Sequence, residues 1–213
     1  MKLLLYTMSK IDLSTIIPRW EWRSFRDTFG SAEMIIQQHE STRTIESEEL
    51  YILSRLHDVN IKIRDRKVEI KKLLEINDDG LEKWTPVLKA AFPLSCDVVT
   101  DILKAVDLVM DNQTGVTIEL DAFLGTYVKT NPSLQIVEVT KSRSGYEIDG
   151  VRIELADLKI AGQGIRTMAV EDEDPRLVIA LVKKLDLIKF ANINYIRAMQ
   201  RMLGFEDERW PKR

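Results

Sequence analysis

The chain has one cysteine, Cys96, and only two histidines, His39 and His57. A single thiol cannot form an intrachain disulfide or a zinc site of the usual thiolate kind, and it points to a reducing, cytoplasmic compartment. The histidines stand in neither an HExxH nor an HxH pattern, so a histidine metal site is not expected. The apolar run LLLY at residues 3–6 is too short for a signal-peptide core or a membrane span. The sequence therefore predicts a cytoplasmic protein without a membrane segment.

A strong excess of either charge is also missing. The formal net charge of −3 gives no general attraction for duplex nucleic acid or for an anionic membrane, so neither is expected as a partner. Any anion-binding role must come from a local concentration of basic residues. The 213 residues are 45% hydrophobic and contain no low-complexity segment or linker, which favours one domain over residues 1–213.

Residues 19–25, RWEWRSF, alternate between aromatic and charged side chains. In a β-strand, Trp20 and Trp22 would lie on one face, with Arg19, Glu21 and Arg23 on the other. For one strand alone, the simplest interpretation is an edge strand with a solvated outer face. Other strands with the same pattern would change that interpretation.

Two predicted hairpins repeat the pattern. In NIKIRDRKVEIKK, residues 60–72, a turn at Asp65-Arg66 sets one apolar face against one polar face. Across that turn the polar pairs are Arg64 with Lys67, Lys62 with Glu69, and Asn60 with Lys71. In RSGYEIDGVRIELA, residues 143–156, Asp149-Gly150 is typical of a type I′ turn. The polar face of this second hairpin holds Lys141, Arg143, Glu147, Arg152 and Glu154.

Further strands are predicted at residues 49–54, 134–139 and 165–171, with a register slip between Val139 and Lys141. Apolar stripes at helical spacing predict helices at residues 95–107, 120–128, 174–185 and 194–203. Trp84, in GLEKWTPVLKAAFPL, is expected to anchor a loop against the core. Antiparallel hairpins and separate helices are thus both predicted, which is compatible with an α+β fold.

The strands share a polar face that is mostly basic. An open sheet could leave this face to water, but a closed sheet would enclose it, and enclosed charges are costly unless they are paired or bind a ligand. The glutamates on the face are Glu21, Glu69, Glu147, Glu154 and Glu171. Basic residues with interspersed carboxylates suit a polyanion that is bound together with a divalent cation.

The order of these segments resembles the CYTH superfamily of triphosphate tunnel metalloenzymes. The resemblance covers residues 18–204 and rests on the charged first strand, KIRDRKVEIK, VTKSRSGYEIDGVRIEL, GIRTMAVEDEDP and the final NYIRAM helix. It implies an antiparallel eight-stranded β-tunnel, or barrel, with helices packed outside. It also implies binding of a triphosphate or linear polyphosphate with Mg²⁺ or Mn²⁺, and hydrolysis if the chain is an enzyme.

The resemblance assigns roles to individual residues. The phosphate-binding residues would be Arg19, Arg23, Lys62, Arg64, Lys71, Lys141, Arg143 and Arg152. The metal ligands would be Glu21, Glu154 and Glu171, of which Glu21 and Glu171 would also be catalytic.

Two positions depart from the family pattern. The opening Glu-x-Glu-x-Lys is matched by Arg19, Glu21 and Arg23, and a later Glu-x-Glu is matched by Ala169 and Glu171. Two expected metal ligands are thus missing, and an arginine at such a position repels a divalent ion. An arginine could instead occupy the place of the metal and leave a site that only binds phosphates.

Three hypotheses follow from the sequence. The first is a metal-dependent triphosphatase or polyphosphatase, and the second is a phosphoanion-binding module without turnover. The third is a partner-binding protein with an open sheet whose charged face is solvated. The sequence leaves homodimerisation open.

Overall fold

The structure, a computed structural model, describes residues 16–109 and 115–205. The strands are β1 Arg19–Arg26, β2 Arg43–Ser54, β3 Asn60–Arg64, β4 Lys67–Ile76, β5 Glu82–Ala91, β6 Leu94–Ser95, β7 Thr117–Ile118, β8 Leu134–Ile148, β9 Val151–Ile160 and β10 Gln163–Asp172. The helices are α1 Ser31–Ile36, α2 Cys96–Lys104, α3 Leu120–Ala122, α4 Pro175–Lys184 and α5 Tyr195–Met202, and a π-helical segment, Phe123–Val128, follows α3.

Eight of these strands form a closed antiparallel barrel. The order around it is β1-β10-β9-β8-β2-β3-β4-β5, and β6 pairs with β7 in a separate sheet. The predicted α+β fold with an eight-stranded barrel is therefore confirmed. The hypothesis of an open sheet is wrong, because the sheet closes on itself.

Both predicted hairpins are present with the predicted register. Arg64 pairs with Lys67 across the first turn, where Asp65 and Arg66 have φ angles of 51° and 54°. Two successive residues in the left-handed region define a type I′ turn, which matches the twist of the strands. The second hairpin joins β8 to β9 through Asp149-Gly150, and its register also follows the alternation of apolar and polar side chains.

Two local predictions are wrong. The pairing of β8 with β9 runs without interruption from Val139 to Ile148, so there is no register slip between Val139 and Lys141. Both side chains lie on one buried face, which is apolar at Val139 and charged at Lys141. Trp84 belongs to strand β5 and not to a loop. Pro86, inside β5, hides this strand in the sequence because proline cannot donate to a sheet ladder.

The contacts divide the chain into two compact units. The first unit contains Leu50–Lys72 and Pro86–Ile136, and the second contains Ile17–Glu49, Leu73–Thr85 and the described chain from residue 137. The prediction of a single domain stays a prediction. Within the first unit, the apolar face of the β3–β4 hairpin and the apolar stripe of α2 belong to one core cluster.

The core of the second unit contains the two tryptophans of β1. Trp20 and Trp22 are buried together with Val178, Leu181 and Val182 of α4. Helix α4 begins where the sequence predicted, because the Asp174 side chain accepts a hydrogen bond from the backbone N–H of Arg176 at 2.9 Å. This packing leaves the charged side chains of β1 on the opposite face of the strand.

Within the described ranges, no helix is long and apolar enough to cross a membrane. The LLLY run at residues 3–6 lies outside the described residues.

Candidate functional site

Strand β1 supplies the first charged residues of the second unit. Glu21 pairs with Glu171 of β10, and Arg23 pairs with Ala169, which in turn pairs with Glu154 of β9. Directly opposed residues on neighbouring strands present their side chains on the same face. The register thus places Arg23 and Glu154 on one row of the sheet, with only the small Ala169 between them.

Arg23 bonds to two carboxylates. Its Nε and Nη2 atoms donate to Oε1 and Oε2 of Glu21 at 2.9 and 3.1 Å, and its Nη1 donates to Oε1 of Glu154 at 3.3 Å. Nη1 also lies 3.4 Å from the Thr167 hydroxyl oxygen. Because the guanidinium is a planar fork of donors, it bridges the two carboxylates in a fixed geometry.

A second set of ion pairs continues from Glu154. Arg143 Nη1 lies 3.9 Å from Oε2 of Glu154, and Arg143 Nη2 lies 4.0 Å from Oε1 of Glu49. Lys141 Nζ lies 2.9 Å from Oε2 of Glu49. We call these six residues the buried charge network: Glu21, Arg23, Glu49, Lys141, Arg143 and Glu154. It contains three cations and three carboxylates, and the exposed Arg43 adds a further cation at its edge, with Nη2 3.9 Å from Oε2 of Glu154.

The network is withdrawn from solvent. Arg23, Glu49 and Lys141 are 6%, 2% and 3% exposed. This part of the charged face is therefore not the solvated surface that the third hypothesis required. Burying charges is costly unless they are paired, and the ion pairs between the cations and carboxylates of the network offset that cost.

The pKa values in the network reflect this pairing. Burial raises the pKa of the Glu154 carboxyl, but the positive charges of Arg23, Lys141 and Arg143 outweigh burial and hold that pKa below its usual range. Burial likewise lowers the pKa of the Arg23 guanidinium, and Glu21 and Glu154 more than reverse this effect. Glu154 and Arg23 are therefore both ionised at neutral pH.

Helix α5 covers two cations of the network. The Tyr195 ring lies 4.5 Å from the Arg23 guanidinium carbon and 4.0 Å from Lys141 Nζ, which suits cation–π attraction. The segment before the helix binds the backbone of Arg23, since the Asn192 side chain accepts from its N–H and the N–H of Ile193 donates to its C=O, each at 2.7 Å. These contacts hold both the side chain and the backbone of Arg23 in place.

Glu82 of β5 is a carboxylate that the sequence interpretation missed. It pairs with Glu21 in the sheet register and is 5% exposed. Asn194 Nδ2 donates to both of its oxygens at 3.1 and 3.0 Å, and Trp84 Nε1 donates at 3.0 Å. Burial nevertheless raises the pKa of the Glu82 carboxyl. Had β5 been recognised as a strand, the sequence would have placed Glu82 on the same face as Trp84.

The first unit contains an open basic cleft on the β3–β4 hairpin and β5. We call the residues that line it the basic cleft: Lys62, Arg64, Asp65, Lys67, Glu69 and Lys89. Glu69 is shared by two lysines, with Lys62 Nζ at 3.7 Å and Lys89 Nζ at 3.8 Å from its oxygens. Four cations thus surround two carboxylates, and one of these, Asp65, is largely exposed. Sequence interpretation missed Lys89.

The other predicted phosphate-binding residues lie elsewhere. Lys71 is half-buried opposite Asn60 and does not line the cleft. Arg19 is one-third exposed and lies 3.9 Å from Glu173. Arg152 is exposed and stands opposite Glu147 and Glu171 in the sheet register. Their roles, and that of Glu171, stay predictions.

The carboxylates of the second unit do not fit a divalent metal as they stand. Glu21 and Glu154 are both engaged by Arg23, and Ala169, beside Glu154 in the sheet register, provides no ligand. Among the residues that the structure describes, no group of three or more His, Cys, Asp or Glu side chains is placed to hold a metal ion. Binding of Mg²⁺ or Mn²⁺ at Glu21, Glu154 and Glu171 stays a prediction.

No family model and no curated protein sequence matches the chain. The solved structures that it matches include a candidate adenylyl cyclase, HpAC1 from Hippeastrum, for which a dominant triphosphatase activity is reported. That match has 12% identity and a TM-score of 0.49, over 86% of this chain and 96% of the other. A candidate adenylate cyclase from Bacillus halodurans matches with 11% identity and a TM-score of 0.47, over 87% and 98% of the two chains.

A conserved hypothetical protein from Pyrococcus furiosus matches with 14% identity and a TM-score of 0.47, over 83% of this chain and 98% of the other. The closed eight-stranded barrel described above is the fold that the CYTH resemblance implies.

Proposed function

We propose that the protein binds a linear phosphoanion, a triphosphate or polyphosphate, in the basic cleft. The observation that carries the proposal is the imbalance of charge in the cleft, where four cations line a solvent-open surface with two carboxylates. Arginine forks and lysine ammonium groups are the usual protein partners of phosphate oxygens. A linear chain of phosphoryl groups provides several negative charges along one axis and can contact several of these cations at once.

The arrangement of the cleft supports a ligand of this class. Lys62 and Arg64 alternate along β3, while Lys67 and Glu69 alternate along β4, so their side chains share one face of the hairpin. The distances from Glu69 to its two lysines exceed ordinary hydrogen-bond lengths. The Lys89 ammonium group can therefore exchange its long contact with Glu69 for a hydrogen bond to a phosphate oxygen.

A more specific proposal is that the protein also hydrolyses the bound phosphoanion with Mg²⁺ or Mn²⁺. It requires metal ligands that attract a divalent ion, and two of the three glutamates expected in that role, Glu21 and Glu154, are already bonded to Arg23. Binding without turnover is therefore the function that the described residues support best.

Calorimetric titration with tripolyphosphate, with EDTA present, tests the proposal. The wild-type protein should bind, and the double variant Lys67→Ala/Lys89→Ala should bind at least roughly tenfold more weakly, since each lost charged contact is worth about 1.5 kcal/mol or more. Lys104→Ala removes an exposed lysine at the end of α2 and serves as the matched control. Absence of binding by the wild type, or equal affinity of the double variant, would refute the proposal.

A phosphate-release assay with tripolyphosphate, ATP and thiamine triphosphate, with and without Mn²⁺, tests turnover separately. Release that depends on Mn²⁺ and disappears in Glu171→Gln would identify the protein as an enzyme. Binding without release would identify a binding module.

A further inference from the structure

The six-residue charge network contains a cation in the place where a metal was expected. Arg19 and Ala169 stand where the family pattern has glutamates, and the sequence alone suggests Arg19 as the substituting cation. In the structure, the cation between the carboxylates is Arg23. Arg19 instead lies beside Glu173, at the edge of the second unit's charged face.

The small side chain of Ala169 allows Arg23 to take this position. Ala169 is fully buried and pairs with Arg23 on one side and Glu154 on the other. The Arg23 side chain reaches past it to Glu154. A glutamate at position 169 would place a second carboxylate on this row, next to Glu154, and crowd the guanidinium.

A divalent ion could reach both carboxylates only by displacing the guanidinium. Displacement would break the two bonds from Arg23 to Glu21 and the bond to Glu154. It would also leave a charged guanidinium unpaired in a position that is 7% exposed, which is strongly unfavourable. Tyr195 and the backbone contacts of Arg23 oppose such a movement further.

We infer that Arg23 is a built-in counter-ion that replaces a divalent metal between Glu21 and Glu154, and that Ala169 is the substitution that makes room for it. Glu21 and Glu154 therefore bind no divalent ion in the native protein. This inference concerns the charge network alone and does not depend on the phosphoanion proposal.

Mn²⁺ alone, without any phosphate, is the probe for the test. Electron paramagnetic resonance of free Mn²⁺ should detect no uptake by the wild-type protein that depends on Glu21. The double variant Arg23→Ala/Ala169→Glu removes the counter-ion and adds the missing carboxylate. It should take up one Mn²⁺ per chain, show a higher melting temperature with Mn²⁺ than without, and lose both effects when Glu21→Gln is added.

The matched control is Arg19→Ala/Ala169→Glu, which keeps Arg23 and should take up no Mn²⁺. Uptake by this control and not by the Arg23 variant would assign the substitution to Arg19 and overturn the inference. Uptake by the wild type that disappears in Glu21→Gln would also overturn it. If the Arg23 variant does not fold, the comparison of the wild type with Glu21→Gln decides alone. Equal Mn²⁺ uptake by these two proteins would support the inference.

Discussion

The buried charge network of the second unit and the basic cleft of the first unit are built from the same kind of sequence. Both arise from strands in which charged and apolar residues alternate. In the network, three cations meet three carboxylates and the groups are withdrawn from water. In the cleft, four cations meet two carboxylates. The side chains of Lys62 and Glu69 are 14% exposed, while those of Arg64, Lys89 and Asp65 are 31%, 34% and 84% exposed. The first set is balanced internally, and the second has a surplus of positive charge.

Solvent exposure explains the difference. A buried cation without a carboxylate would be strongly destabilising, so an enclosed set of charges must be neutral in the absence of a ligand. An exposed cation is stabilised by water and needs no protein partner. A surplus of cations can thus persist in the cleft, where it is free to attract an anion.

The largest expected effect is on the stability of the network. Arg23→Met should lower the free energy of unfolding by about 3–5 kcal/mol, because Glu21 and Glu154 would remain buried without their shared partner. Lys67→Met, in the cleft, should change it by less than about 0.5 kcal/mol since Lys67 is exposed. Urea unfolding of both variants measures the difference. Similar losses in the two variants would remove the distinction between the regions.

The pH dependence of stability should differ between two glutamates, Glu154, whose carboxylate is paired with cations, and Glu82, whose pKa is controlled by burial. The lowered pKa of Glu154 means that its ionised form stabilises the protein above the unfolded-state pKa of about 4.3, and that this contribution is lost as the pH falls through the folded-state value. Glu154→Gln should therefore be destabilising at pH 7, by a few kcal/mol, and less so in acid.

For Glu82, the pKa shift and its effect on stability have the opposite sign. Its raised pKa means that the stabilisation from its protonated form is present below the unfolded-state value and is lost as the pH rises through the folded-state value. Glu82→Gln resembles the protonated form, so it should be close to neutral or stabilising at pH 7. Urea unfolding of both variants at a series of pH values from 4 to 7 provides the measurement. The same sign at pH 7 for both would contradict the account.

Two helix caps give a smaller comparison between the units. Ser95 caps α2 in the first unit through one bond from the N–H of Val98, so Ser95→Ala should cost about 1 kcal/mol. Asn194 caps α5 through the N–H of Arg197 and also donates to both oxygens of Glu82. Asn194→Ala should cost about 2 kcal/mol or more. Thermal unfolding can rank the two, and a larger loss for Ser95→Ala would show that the Glu82 contacts contribute little.

The smallest effect is on affinity. Glu69→Gln removes one of the two carboxylates of the cleft and should strengthen tripolyphosphate binding by roughly threefold, with the gain decreasing at high salt. Glu138→Gln, at an exposed position of β8, is the control and should leave the affinity unchanged. Calorimetry at two ionic strengths measures both. Weaker binding by Glu69→Gln would indicate that Glu69 positions the lysines and does not merely offset them.

The sequence predicted the features that depend on local periodicity. The registers of both hairpins follow from the two-residue side-chain repeat and the turn residues, and the structure confirms both. The hydrogen bonds between Arg23 and Glu21 were not predictable. Alternation shows which side chains share a face of the sheet, but it does not show which of them are in contact. That Arg23 reaches Glu154 depends on the size of Ala169 on the strand between them. Lys89 and Glu82 were missed because Pro86 obscured β5.

A crystal structure with both tripolyphosphate and Mn²⁺ present is the most direct test of the central claim, that the balanced network needs no ligand and the cationic cleft binds one. The account predicts phosphate density against Lys67 and Lys89, with Arg23 still bonded to Glu21 and Glu154. Phosphate density against Lys141 and Arg143, or a Mn²⁺ ion between Glu21 and Glu154, would contradict it.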